Sequence, residues 1–274
     1  MTALRIFSYQ PNPRVWKATI AARLGAVALE LRGAAPEALA DWLWDFDARP
    51  LTAADHADDA TLRTGRVGFG GTPLRKSAAF LDAHPFGTVP AAFSPDGGTG
   101  IFESNSIARA VARLGTGTLY GADAYEASRI DSFLDASLVF GRDTQPYLLA
   151  LRGDTVTLEV HAAAGAAVTT YLDGIERALS PRREHLVGAT LSLADICFAC
   201  ELTMLWYERP RRARLAALGL APVLADDWQD RHPRAAGHFA ALRAHPAFAP
   251  DLEPHLAKLE RNPDIKAVPS ESRP

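Results

Sequence analysis

The first part of the chain alternates between strand-like and helix-like spacing of its apolar residues. Residues 4–8 and 27–31 are short, mostly apolar runs that predict strands, and apolar positions at helical spacing predict a helix over residues 14–24. Gly25 supplies the expected stop signal at the end of that helix. A strand, a helix and a second strand at this spacing predict a parallel βαβ unit.

A second set of strand signals follows after a long gap. Residues 89–93 and 100–102 flank a glycine turn at residues 96–98, which predicts a β-hairpin. A helix is then predicted over residues 104–114. Together with the βαβ unit, the hairpin and this helix predict an α/β domain over residues 1–114.

The gap between these two parts is longer than a small α/β domain needs, and we expect an insertion over about residues 41–79. Its glycine cluster at residues 65–71 favours a flexible lobe. Trp42, Trp44 and Phe46 occupy alternate positions, which fits one side of an extended segment. Two interpretations stay open: the lobe covers part of a ligand site and shapes an acceptor pocket, or these aromatics form a satellite core that anchors it.

Helical spacing dominates after a linker at residues 115–121. We expect an all-helical domain over residues 122–250 and a polar, proline-containing tail over residues 251–274, whose end is loose. The fold class is therefore α/β followed by all-α. The helices are predicted over residues 125–151, 155–179, 192–207 and 235–242.

Composition and charge exclude several classes of protein. With 48% hydrophobic and 22% charged residues, the chain is typical of a globular protein and unlike a disordered one. Its apolar runs stop well short of the roughly 18 residues that a membrane span needs, and its start has no apolar run typical of a secretory signal. A net charge of −3 gives no reason to expect nucleic acid or an anionic membrane as partner.

The cysteines and histidines offer little chemistry of their own. Cys197 and Cys200 lie inside a predicted apolar helix, so we interpret them as buried, inert thiols of a cytoplasmic, reducing compartment. The eight histidines show no metal-binding spacing, and no metal is expected.

Two short motifs carry the strongest functional signal. Residues 84–90 read His-Pro-Phe-Gly-Thr-Val-Pro, and residues 102–107 read Phe-Glu-Ser-Asn-Ser-Ile. The pair Val89-Pro90 suits a cis peptide, because proline lowers the cis cost to about 0.5–1 kcal/mol, and such a turn would leave the N–H and C=O of Val89 open to an extended ligand. Ser104, at a helix start, favours an anion, although a plain helix N-cap is the simpler alternative.

These motifs resemble the glutathione transferases, and most closely their relatives in the N-terminal half of elongation factor 1B gamma. The family pattern is Asn-Pro-Phe-Gly-Lys-Val-Pro followed by Phe-Glu-Ser-Asn-Ala-Ile, and this chain has His84 and Thr88 in place of the Asn and Lys. Residues 7–18 and 186–196 are also similar to the gamma pattern. The resemblance implies a thioredoxin-like βαβ-ββα domain, a helical C-terminal bundle and a homodimer.

The resemblance also implies glutathione as co-substrate and assigns residues to its parts. Val89, beside Pro90, would pair with the cysteinyl backbone. Glu103 would meet the glutamyl ammonium, and Ser104 the glutamyl carboxylate. Arg14 would add positive potential to the site, or would pair with a surface carboxylate instead.

Catalysis in this family requires a thiolate, and a cysteine thiol has an ordinary pKa of about 8.5. A hydroxyl donor near the N-terminal end of the first helix lowers that pKa. Tyr9 is the first candidate, although it could equally pack on the core; Ser8 is the second and the amide of Asn12 the third. No cysteine lies in this segment, so thiol-transfer chemistry is not expected.

The activity implied is detoxifying conjugation of glutathione to a hydrophobic electrophile, or glutathione-dependent cleavage of an ether or halide. The gamma branch often serves assembly, so a non-catalytic glutathione-binding or protein-assembly module is the alternative. Ser192 and Asp195 form a predicted N-capping box, which we interpret as structural.

Overall fold

The computed structural model describes residues 2–65, 69–153, 155–180 and 183–261. The chain folds as two units, Met1–Gly117 and Thr118–Pro274. Within the described residues, the strands all belong to the first unit. They are β1 (Leu4–Phe7), β2 (Leu29–Arg32), β3 (Trp42–Trp44), β4 (Arg49–Pro50), β5 (Leu62–Thr64), β6 (Pro73–Lys76), β7 (Ala91–Phe93) and β8 (Gly100–Phe102).

One sheet of the first unit has the order β2-β1-β7-β8. The strands β1 and β2 run parallel, whereas β7 runs antiparallel to both β1 and β8. This arrangement confirms the predicted βαβ unit, hairpin and thioredoxin-like fold. The helices of the first unit are α1 (Pro13–Gly25), α2 (Ala53–Ala57), α3 (Ala78–Ala83) and α4 (Ser104–Leu114). Two of them, α1 and α4, pack against each other.

The insertion contains a second sheet, of order β4-β3-β6-β5, which the sequence pattern did not predict. Its strands span only two to four residues each, too few for an apolar alternation to stand out. Within the glycine cluster predicted to be flexible, residues 66–68 lie outside the described residues.

The aromatic residues of the insertion pack into the core of the first unit. Trp44 is only 1% exposed, its ring lies 5.5 Å from that of Phe7 and 6.2 Å from that of Phe80, and its Nε1–H donates to the C=O of Leu39 at 3.0 Å. Phe46 meets Phe93 at 5.9 Å. For these rings, the packing supports the interpretation that they anchor the inserted lobe.

Within its described residues, the regular elements of the second unit are all helices. The helix α7 is buried from its first turn to Thr203, which confirms that Cys197 and Cys200 are buried thiols. A 3-10 helix, Leu205–Arg211, continues it. The helices are α5 (Ala124–Ala150), α6 (Leu158–Ala178), α7 (Leu193–Met204), α8 (Arg212–Ala217), α9 (Trp228–Arg231), α10 (Pro233–Ala244) and α11 (Ala249–Arg261).

The last helix corrects the expectation of a polar tail over residues 251–274. In α11, Leu252, Leu256 and Leu259 are buried at helical spacing, so this segment belongs to the helical core. Two prolines favoured coil in the sequence pattern: Pro250 lies in the first turn of the helix, where proline is tolerated, whereas Pro254 lies inside the helix. Residues 262–274 lie outside the described residues. Of the helices described, none is long and apolar enough to cross a membrane.

Candidate functional site

The register of the first sheet brings the predicted site residues to one edge. Phe7 at the end of β1 lies opposite Ala91 at the start of β7, and Ala91 lies opposite Phe102 at the end of β8. The chain therefore leaves β1, enters β7 and leaves β8 on the same side of the sheet. The residues at this edge are Ser8, Tyr9, Val89, Pro90, Glu103 and Ser104.

Val89 presents its backbone to this edge in the way the sequence predicted. The Val89-Pro90 peptide is cis, and Val89 is partly exposed. Among the described residues, neither its N–H nor its C=O makes an intramolecular hydrogen bond. A polar backbone pair that is exposed and unsatisfied at a sheet edge is suited to pair with an extended ligand.

The loop that carries Val89 is held in place from two sides. The buried His84 accepts the N–H of Thr88 at Nε2 over 3.1 Å, and its ring is stacked on that of Phe102 at 4.9 Å. From the inserted sheet, Lys76 donates to the C=O of Gly87 over 2.6 Å. Burial, together with the nearby Lys76 ammonium, holds the pKa of His84 below its ordinary value, so the neutral imidazole is the folded form.

The first turn of α4 is open toward the same edge. Glu103, the residue before the helix, is exposed, has a φ of +65°, and its side chain does not cap the helix. Ser104 is the first helical residue rather than the N-cap, which differs from the simpler alternative considered for it. In the described part of the chain, the N–H of Ser104 has no intramolecular acceptor. Such an N–H group at a helix start attracts an anion.

Lys17, which the sequence pattern did not single out, lies against Ser104 in the structure. Lys17 is 2% exposed, and its Nζ lies 3.3 Å from Ser104 Oγ and 2.7 Å from Asn105 Oδ1. Its helix α1 is buried on nearly all sides, so the apolar pattern assigns no face to a charged residue. A lysine amid an otherwise buried stretch is the signal that could have found it.

The candidates for thiol activation cluster at the start of α1. Asn12 is the N-cap of this helix: its Oδ1 accepts the N–H of Arg14 at 3.0 Å, and its Nδ2 donates to Ser8 Oγ at 3.1 Å. Ser8 is fully buried and Asn12 is 1% exposed. Tyr9 is partly exposed and packs against the aromatic core of the first unit. Of the two hydroxyl-bearing candidates, Tyr9 is therefore the one that is partly exposed.

A metal centre gains no support from the described residues, which contain no group of three or more His, Cys, Asp or Glu side chains placed to hold an ion.

The chain is similar to two kinds of curated protein. The glutathione S-transferase-like protein FUS3 of Gibberella moniliformis is 30% identical over 210 residues, which cover 73% of this chain and 76% of that protein. The probable elongation factor 1-gamma 1 of Arabidopsis thaliana is 29% identical over 180 residues, which cover 63% of this chain and 38% of that protein. The chain thus matches well under half the length of that elongation factor relative.

Solved structures share the fold. A glutathione S-transferase of Methylobacterium radiotolerans, in complex with glutathione sulfonate, superposes with a TM-score of 0.60 at 19% identity, covering 91% of this chain and 94% of that one. No protein-family model matches the sequence.

Proposed function

Because this chain belongs to the glutathione S-transferase superfamily, we propose that its sheet edge at Val89 and Ser104 binds glutathione and that the protein transfers the bound thiol to a hydrophobic electrophile. The observation that carries the proposal is the open N–H and C=O of Val89 beside the first turn of α4. One feature suits the extended cysteinyl backbone and the other suits the glutamyl carboxylate, so a single tripeptide would engage both.

The remaining contacts follow from charge and exposure. Glu103 is exposed beside Ser104, where its carboxylate would pair with the glutamyl ammonium. Arg14 lies in the first turn of α1, and its charge would favour the thiolate over the thiol. Fixing glutathione at three points would convert a bimolecular encounter into an oriented reaction.

In the reaction that we propose, the thiolate sulfur forms a bond to an electrophilic carbon while the leaving group departs with its electron pair. The Tyr9 hydroxyl would donate a hydrogen bond to the thiolate and so lower the thiol pKa. Ser8 and Asn12 are buried and bonded to each other, so we assign them the support of this corner rather than contact with sulfur.

A non-catalytic glutathione-binding or assembly module is the second candidate, which the similarity to elongation factor 1-gamma proteins favours. A glutathione-binding module would keep the glutathione site and lack turnover, whereas a protein-assembly module would require neither. The protein would act in the cytoplasm in either case.

Calorimetric titration of glutathione into the wild type and Ser104→Ala tests the shared site. The wild type should bind, and Ser104→Ala should bind about 10- to 150-fold more weakly, because it loses a hydrogen bond to a charged group worth about 1.5–3 kcal/mol. Ser106→Ala, two residues along the same helix, is the matched control and should bind normally. A wild type that does not bind glutathione would overturn the transferase and the glutathione-binding module.

Turnover of a general aromatic electrophile separates the two candidates. A transferase should turn over, and Tyr9→Phe should reduce the rate and move the pH midpoint of thiolate formation upward, toward the free-thiol value of about 8.5. Binding without any turnover would favour the non-catalytic glutathione-binding module. An unchanged pH profile in Tyr9→Phe would remove Tyr9 from the mechanism.

We also propose a homodimer, as the family resemblance implies. A groove of about 960 Å³ runs between α5 and α6 and is lined mainly by apolar side chains, among them Phe133, Val139 and Ile175. An open apolar groove of this size on a helix pair is typical of an association surface.

A further inference from the structure

Lys17 is a buried ammonium at the end of the candidate site. Its Nζ lies 3.3 Å from Ser104 Oγ and 2.7 Å from Asn105 Oδ1, and the side chain is 2% exposed. Taking an ammonium group out of water is costly. The burial of Lys17 therefore indicates that its charge or its N–H donors have a role at this position. Two of its bonds go to side chains in the first turn of α4.

The bond to Ser104 fixes the direction of the serine hydroxyl. An ammonium can only donate, so Ser104 Oγ accepts from Lys17. A hydroxyl that accepts such a bond keeps its own hydrogen for another acceptor. The O–H of Ser104 is thereby left to point at a ligand, beside the N–H of the same residue, which has no acceptor among the described residues.

Asn105 fixes the lysine in turn. Its Oδ1 makes the shorter of the two bonds, and Asn105 is itself 4% exposed, so the ammonium is held against α4 rather than turned outward. The charge of Lys17 and the positive end of the helix dipole therefore act on the same small region. Both favour an anion bonded to Ser104, and neither interacts well with a neutral group in its place.

We propose that Lys17 is a positioning residue that orients Ser104 and makes this corner of the site selective for a ligand carboxylate. This inference rests on the proposed glutathione site. Lys17 acts through the Ser104 hydroxyl and through its own charge, without direct contact with the sulfur. The ligands selected are γ-glutamyl compounds whose α-carboxylate is ionised, in preference to the same compounds with a neutral amide there.

The test compares two ligands, glutathione and its analogue in which the glutamyl α-carboxylate is a carboxamide. Affinities are measured by calorimetry, with the analogue measured by displacement where it binds weakly. The wild type should prefer glutathione by about tenfold or more, as expected for a hydrogen bond to a charged group. Lys17→Met should lose most of that preference, whereas a merely structural defect would weaken both ligands equally and leave the preference unchanged.

Two further variants keep the test decisive. Arg23→Met removes a positive charge from the exposed end of the same helix and should keep the wild-type preference. Asn105→Asp keeps the lysine but gives it an ionised partner, which should draw the ammonium from Ser104 and lower the preference. Asn105→Asp carries the test if Lys17→Met does not fold.

The outcomes are distinguishable. A wild type that binds no glutathione overturns the proposed function itself. A wild type that binds both ligands equally overturns the selectivity, and full preference retained in Lys17→Met or Asn105→Asp overturns the role of Lys17.

Discussion

His84 replaces the amide of the family pattern with an imidazole that must stay neutral. Its Nε2 accepts the N–H of Thr88, its ring is stacked on Phe102, and it is fully buried. Because burial holds its folded pKa below its ordinary value, its contribution to stability is present above an unfolded pKa of about 6.5 and is lost as pH falls below that value.

We therefore expect His84→Asn, which keeps an acceptor without a titrating proton, to flatten the loss of stability between pH 7.5 and pH 5. His84→Ala should cost about 2–3 kcal/mol at pH 7.5, since it leaves a cavity and an unpaired N–H next to Val89. Urea unfolding at several pH values measures both effects. An equally steep pH dependence in His84→Asn would show that other groups carry it.

Residues of the site differ in how well the sequence reveals them. The cis peptide at Val89 and the helix start at Ser104 could be predicted, because each is set by a few neighbouring residues. Lys17 could not, because its role arises from the packing of α1 on α4, which are 87 positions apart at the contact with Ser104. Asn12 is the third candidate for holding the thiol, and its amide is bonded to Ser8 and to the backbone N–H of Arg14.

At the scale of elements, length decides what the pattern can show. The helices α5 and α6 span 27 and 21 residues, enough for repeated helical spacing, and both were predicted to within three residues at each end. The inserted sheet has strands of two to four residues, held by tertiary packing of Trp44 rather than by their own pattern. Local spacing carries no information about such pairing.

The capping box at the start of α7 is the element-level feature with the clearest energetic consequence. Asp195 is fully buried and accepts the N–H and hydroxyl of Ser192, the N–H of Leu186 and Nε2 of His238. Burial alone would raise the pKa of Asp195, but the bond from His238 and those from the backbone outweigh it and keep the carboxylate ionised.

Asp195→Ala should destabilise the protein by about 3–5 kcal/mol, because it leaves several buried donors without an acceptor. Ser192→Ala removes one capping hydroxyl and should cost about 1 kcal/mol. Denaturant unfolding measures both, and Asp173→Ala is the control, since that half-exposed carboxylate bonds to one side chain, the buried His232, and its loss should cost about 1 kcal/mol. Comparable losses for Asp195→Ala and Asp173→Ala would contradict the structural role given to the box.

At the scale of the whole molecule, the groove between α5 and α6 leaves apolar surface that a compact monomer would be expected to cover. Val139 on its wall is 48% exposed although it lies in the middle of a 27-residue helix. A symmetric dimer would bury the same groove on both copies, so each apolar contact would occur twice. A charged substitution in the groove would therefore bury one unpaired charge in each copy, and the dimer would bear that cost twice.

We expect the wild type to sediment as a dimer, at twice the 29.5 kDa of the chain, and Val139→Glu to sediment as a monomer at micromolar concentration. The control is Leu158→Glu, which places the same charge on an exposed leucine at the start of α6, outside the groove lining, and should stay dimeric. Circular dichroism should show both variants folded, because neither position is buried in the chain itself. A monomeric wild type, or a dimer unaffected by Val139→Glu, would rule out this groove as the dimer interface.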